Sequence, residues 1–159
     1  MSLGNKPGAS LSQAEFEELA TFRYQIRRFL NFSETAALHE GIEPRQHQAM
    51  LAIKATPAGE NCTIGALSEQ LFLYHQSAVG LIDRMEARGL VQRRPDPDDR
   101  RQVIVTLTQK GEEILQNLSL IHRAELEERA PELARALRAI MRRARSTVAK
   151  QTIHEDKQA

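Results

Sequence analysis

Leu90-Val91-Gln92-Arg93-Arg94 and Gln102-Val103-Ile104-Val105-Thr106-Leu107 are short runs rich in β-branched and alternating residues, joined through Pro95-Asp96-Pro97-Asp98-Asp99. Two prolines and three aspartates in that join favour a turn over helix or strand. The pair predicts a two-stranded ribbon with a charged tip. Immediately upstream, Ala78, Leu81, Ile82 and Met85 recur at helical spacing, and Gly89 after Arg88 supplies a left-handed helix stop. Helix followed directly by ribbon is the order of a winged helix.

The flanks extend this unit on both sides. Ser12-Gln13-Ala14-Glu15 has capping-box spacing, and Phe16, Leu19, Ile26, Phe29 and Leu30 follow with helical periodicity, so a long first helix is expected to about Leu38. Gly41-Ile42-Glu43-Pro44 breaks it, and Pro44 suits the first position of a second helix running to about Ala55. Thr63 caps a short helix from Ile64 to Phe72, with Ala66, Leu67 and Leu71 as its buried side. A brief turn at Leu73-Tyr74-His75 then leads into the helix ending at Arg88, which completes a helix-turn-helix.

Beyond the ribbon, Thr108 caps a helix with Ile114, Leu115, Leu118, Ile121, Ala124 and Leu126 as apolar positions, and Ala130-Pro131 restarts a last one carrying Leu133, Leu137, Ile140, Met141, Ala144 and Val148. The winged core is complete without these helices, so their apolar stripes call for a second copy of the chain. The expected fold is mostly α with a small β-hairpin: a winged helix-turn-helix with long N- and C-terminal dimerisation helices. Residues 1–10 are expected to be a disordered N-terminus or tag remnant, 11–43 the first dimerisation helix, 44–108 the winged domain, 109–150 the fifth and sixth helices, and 151–159 a tail.

Charge and composition narrow the function classes. The net charge is only +1, so nucleic-acid binding must come from local placement; between Arg84 and Arg101, six arginines against four carboxylates leave a surplus of +2. Aromatic residues make up 4% with no Trp, which argues against a β-sandwich or a stacking-based single-strand binder. No run approaches the roughly 20 apolar residues that span a bilayer, and no secretory signal opens the chain, so a soluble cytoplasmic protein with no membrane partner is expected. No Ser-His-Asp order, nucleotide loop or paired-carboxylate motif stands in a recognisable context, so an enzyme is not expected, and no cofactor is called for.

Ile82-Asp83-Arg84-Met85-Glu86, Arg88-Gly89-Leu90-Val91, Arg94, Asp99-Arg100-Arg101, Val103-Ile104-Val105-Thr106-Leu107-Thr108 and Gly111 stand in an order and spacing that resembles the MarR family of bacterial transcription regulators, over roughly residues 11–150. The resemblance implies a homodimer that binds double-stranded DNA, the second helix of the motif entering the major groove and the wing reaching along the duplex. With Ala78, Leu81, Ile82 and Met85 facing the core, His75, Gln76, Ser77, Val79 and Gly80 face the groove: Gln76 suits adenine, Ser77 a base or phosphate, and Val79 a thymine methyl. Gly80 departs from the larger polar residue many relatives carry there, which leaves more of the reading to DNA shape. Arg100 and Arg101 suit a narrow minor groove, with Arg101 the inserted side chain by the family's spacing, and Asp99 fixes the loop by pairing with Arg84 or a wing arginine. Arg88, Arg93 and Arg94 are phosphate candidates. Two recognition helices on successive major grooves imply a pseudo-palindromic operator.

The family further implies a repressor released by a small, often aromatic acid held near the junction of the long helices and the winged core. Tyr24, Arg27, Arg28, Phe32, His39 and His47 are the candidates there, an apolar wall with a few groups able to hold a carboxylate. Zinc sensing through His39, Glu40, His47 and His122 matches no metal-ligand spacing, so no metal site is expected. Cys62, the lone cysteine, raises a redox alternative, but its place before the helix-turn-helix suits packing as a small hydrophobe. A winged helix used only for protein contact and dimerisation is the competing class.

Overall fold

The computed structural model describes residues 10–155 other than 98 and 100, with side chains described as far as residue 142. Five helices and one hairpin follow in the order α1 (Gln13–His39), α2 (Pro44–Lys54), α3 (Ile64–Gln70), α4 (His75–Ala87), β1 (Val91–Pro95), β2 (Val103–Leu107) and α5 (Gln109–Glu155). Local chemistry sets the starts. The Ser12 N–H donates to Glu15 Oε2 at 2.7 Å, Thr63 Oγ1 accepts the Ala66 N–H at 3.2 Å, and Thr108 Oγ1 accepts the Gly111 N–H at 3.1 Å.

Three helix stops share one geometry. After α1 the Gly41 and Ile42 N–H groups bond the Leu38 and Ala37 carbonyls, and after α4 the Gly89 and Leu90 N–H groups bond those of Glu86 and Met85. Both glycines sit at left-handed φ, +69° and +68°. The stop after α3 repeats the pattern, with the N–H groups of Phe72 and Leu73 bonding the Glu69 and Ser68 carbonyls, yet a phenylalanine holds the left-handed position at φ +52°. A bulky side chain there costs on the order of 1 kcal/mol.

The chain divides into two compact units, one formed by Phe32–Ala124 and the other by the residues to Asn31 with those from Glu125. The first contains the core: Met50, Leu67, Leu81, Ile82, Met85, Leu90, Val105 and Leu118 are all buried in one apolar cluster. The hairpin is antiparallel, with Val91 opposite Leu107 and Pro95 opposite Val103. The Val105 N–H also bonds the Cys62 carbonyl at 2.8 Å, which draws the segment before α3 onto the outer side of β2. Ala66 is exposed, and Ile64 and Ser68 take the buried side of α3 instead.

In the second unit, by contrast, Ala136 and Glu125 are the only buried residues among those described. Phe16, Leu19, Leu30, Leu126, Leu137 and Met141 are exposed there. The expected break at Ala130-Pro131 does not occur, because α5 runs through Pro131 as one helix. Pro131 is exposed on that helix, on a side where its ring meets no packed neighbour element. Ala144, Val148 and the tail from 156 lie outside what is described of side chains and backbone. Among the described residues no helix is long and apolar enough to cross a membrane.

The start of α5 closes over the end of α4. Three consecutive carbonyls, of Arg88, Gly89 and Leu90, accept bonds from Lys110 Nζ (3.0 Å), Thr108 Oγ1 (2.6 Å) and the Thr108 N–H (3.1 Å). Gly111 permits the approach: a Cβ on it would stand 2.2 Å from the Leu90 oxygen.

Candidate nucleic-acid interface

Helix α4 divides its residues as its periodicity predicts, burying Ala78, Leu81, Ile82 and Met85 and leaving His75, Gln76 and Ser77 exposed on its first turn. Val79 departs from the expected groove face. It is half-buried and packs against the core, which leaves only part of it to an outside partner. Gly80 opens space on the helix surface, and the Arg84 guanidinium folds back beside it, 3.6 Å from where a Cβ would be.

The wing loop is built around two aspartates. Asp96 is buried and accepts the Asn61 side-chain amide at 3.3 Å. Asp99 accepts the Arg101 N–H and Nε at 3.1 Å each and Nη2 at 3.2 Å, and Gln102 Nε2 at 3.2 Å. These bonds, those from Arg101 first, hold the Asp99 carboxyl below the ordinary carboxylate range. Asp99 thus braces a wing arginine as expected, but its partner is Arg101. Arg84 lies instead along α4. The Arg101 side chain is still 90% exposed, so the brace sets its direction without covering its charge. Arg94 is exposed on β1, and Arg100 lies outside the described residues.

Wing and helix converge. His75, Arg101 and Gln102 line one surface cleft of about 250 Å³ with Thr63, Ile64, Gly65 and Val103. The start of α4 and the wing cation therefore line the same space.

Two of the arginines considered for phosphates have internal partners. Arg88 donates from Nη1 to Gln46 Oε1 at 2.8 Å and from Nη2 to the Gly41 carbonyl at 2.6 Å, tying the end of α4 to the α1–α2 junction. Arg93 donates to Glu86 through Nε and Nη2 and to Asp83 Oδ1 at 2.7 Å, locking β1 onto α4. The contact with Arg93 holds the Glu86 carboxyl below its usual range. A guanidinium engaged with such partners has fewer donors to offer an outside partner, so Arg88 and Arg93 each serve the fold through these bonds.

The effector candidates fall in several places. Tyr24, Arg27 and His39 are exposed, and Arg28 pairs with Glu132 at 3.5 Å. Phe32 stands edge-on to His122 with centroids 6.1 Å apart, and His47 stacks on the same ring. Cys62 is buried, and burial pushes its thiol up, a bond with Thr56 opposing, so the thiolate that oxidants attack is scarce. Among the described residues no group of three His, Cys, Asp or Glu side chains could hold a metal ion.

The residues that periodicity passed over are Phe72 and Tyr74, 96% and 88% exposed immediately before His75. An alternating Leu-Phe-Leu-Tyr run invites burial of every member, and only Leu71 and Leu73 pack on the core. The one available signal was the turn, which needs a left-handed residue that glycine would normally supply.

A family model described as the MarR family matches residues 40–102. The transcriptional activatory protein BadR of Rhodopseudomonas palustris is 32% identical over 97 residues, 60% of this chain and 55% of BadR. The chain thus spans about half the length of that relative. The transcriptional regulator HosA of Escherichia coli O111:H- is 34% identical over 94 residues, 58% of this chain and 67% of HosA. The fold is that of AbsC, a MarR family transcriptional regulator from Streptomyces coelicolor, with a TM-score of 0.66, 21% identity, and coverage of 87% of this chain and 99% of AbsC.

Proposed function

The chain belongs to the MarR family, and we propose that it is a homodimeric transcription regulator that lays α4 in the major groove of duplex DNA and its wing along the neighbouring minor groove. The observation that carries this reading is the cleft shared by His75 at the start of α4 and Arg101 on the wing. Gln76 and Ser77 offer donors and acceptors to base edges and phosphates, and Arg101, aimed by Asp99, places positive charge where a narrow groove concentrates negative potential. Arg94 and, by its position in the sequence, Arg100 add phosphate contacts.

A second copy supplies what the unit formed by the two chain ends lacks. Among the described residues two buried side chains give α1 and α5 little core there, and the exposed Phe16, Leu19, Leu30, Leu126, Leu137 and Met141 give a partner copy apolar surface to cover. A two-fold dimer presents its recognition helices about 34 Å apart, so the operator is a pseudo-palindrome. We assign release to a small aromatic acid and the regulatory sign to repression. The relative described as an activatory protein supports the opposite sign.

Selection of bound sites from random duplexes, followed by footprinting, tests the DNA reading, with two protected half-sites one helical turn apart as the expected result. Sedimentation at micromolar concentration is expected to give a dimer. A panel of aromatic acids added to the complex is expected to yield one that lowers affinity, and a reporter gene behind the selected site reads the sign. A monomer, or a flat salt dependence of DNA binding, favours the protein-contact class instead.

A further inference from the structure

We propose that Phe72 is a base contact, an apolar probe that packs on thymine methyl groups at the edge of the major groove, with the Tyr74 hydroxyl donating to the adjoining phosphate. The inference rests on the DNA reading above and extends it to two residues outside the groove-facing set.

Phe72 occupies the left-handed position of a helix stop whose two counterparts in this chain, after α1 and α4, are Gly41 and Gly89. Glycine would fill it without strain. The ring gains nothing inside the fold, being 96% exposed, whereas Leu73 beside it packs on the core. A strained backbone carrying an unburied aromatic ring is unfavourable for the free protein on both counts, so its use lies in a contact made outside it.

Position identifies that contact. Phe72 and Tyr74 lead directly into His75, Gln76 and Ser77, exposed on the first turn of α4, and His75 shares its cleft with the wing's Arg101. Exposed residues that directly precede the first turn of α4 come close to the duplex when that turn does. There the apolar feature a phenylalanine can read is the thymine methyl, and the group a tyrosine hydroxyl can reach from the helix entrance is a phosphate.

The test uses the full chain and a site selected from random duplexes. Phe72→Gly is expected to keep or raise the melting temperature, because it relieves the left-handed strain, and to lower affinity for the selected site about tenfold. Replacing single thymines with uracil, which removes only the methyl, is expected to weaken wild-type binding about fourfold at one or two positions per half-site and to leave Phe72→Gly unaffected. Tyr74→Phe is expected to weaken binding to all sequences alike. If wild type and Phe72→Gly bind the selected site equally, or respond alike to uracil, the contact is overturned while the DNA reading stands. A lower melting temperature for Phe72→Gly makes the ring part of the fold, and a change in the free protein's sedimentation makes it a protein contact; either overturns the proposal. Failure of the wild type to select any site overturns the DNA reading and the contact with it.

Discussion

His47 on α2 lies flat against His122 on α5, with ring centroids 4.6 Å apart and planes 15° from parallel. His122 Nε2 is 3.4 Å from the Ser33 carbonyl, so residues of three helices meet at one buried stack. A charge on His47 is disfavoured there, in a site sheltered from water and against the His122 ring.

Burial first, and the His122 ring second, lower the His47 pKa to about 4. The unfolded chain therefore binds a proton that the fold does not. The contribution of this site is complete above about pH 6.5 and declines as pH falls toward about 4, by at most about 3 kcal/mol. Thermal melts between those limits are expected to show acid destabilisation that His47→Gln flattens.

Gly111→Ala forces a Cβ onto the Leu90 carbonyl oxygen, a backbone atom that no rotamer change can move. The substitution is expected to cost about 3 kcal/mol by urea denaturation, where alanine inside an ordinary helix would stabilise. Gly65→Ala is the control. Its nearest neighbour would be Thr63 Oγ1 at 3.7 Å, an ordinary contact.

The arginines divide by partner. Arg88→Met and Arg93→Met are expected to lower the melting temperature by a few degrees and to leave the salt slope of DNA binding unchanged, since the donors of both and the charge of Arg93 are engaged within the protein. Arg101→Ala is expected to do the reverse, reducing the slope by about 1 with little change in stability. Equal salt slopes for all three variants would refute this division.

Gln76→Ala is expected to relax preference at particular base pairs while affinity for random duplexes holds. Asp99→Asn is expected to weaken binding to all sequences alike, because it loosens the aim of Arg101 and touches no base itself. The Asp99 carboxyl is held low, so the brace is complete above the ordinary carboxylate range and lost only as pH falls through its depressed pKa. The contrast is read by repeating the site selection with each variant.

Much of this architecture is written locally. Ser12, Thr63 and Thr108 announce helix starts, Gly41 and Gly89 announce stops, and the spacing of Ala78, Leu81, Ile82 and Met85 gives the buried face of α4. What escaped depends on partners far along the chain. Arg88 reaches residues 42 and 47 positions away, and no periodicity in α4 distinguishes it from the exposed Arg94. The His47 stack joins two helices that share no pattern. Pro131 misled for a different reason: proline lowers helix propensity without forbidding a helix, and α5 runs through it at an exposed position.

The bonds from Lys110 and Thr108 to the Arg88, Gly89 and Leu90 carbonyls give α4 a fixed hinge pin at its C-terminal end. With Gly111 seated against Leu90, the end of α4 and the first turn of α5 are coupled. Amide-exchange protection of the two segments should therefore rise and fall as one opening event. A shift of the first turn of α5 is therefore felt directly at the C-terminal end of α4, with no intermediary loop to absorb it.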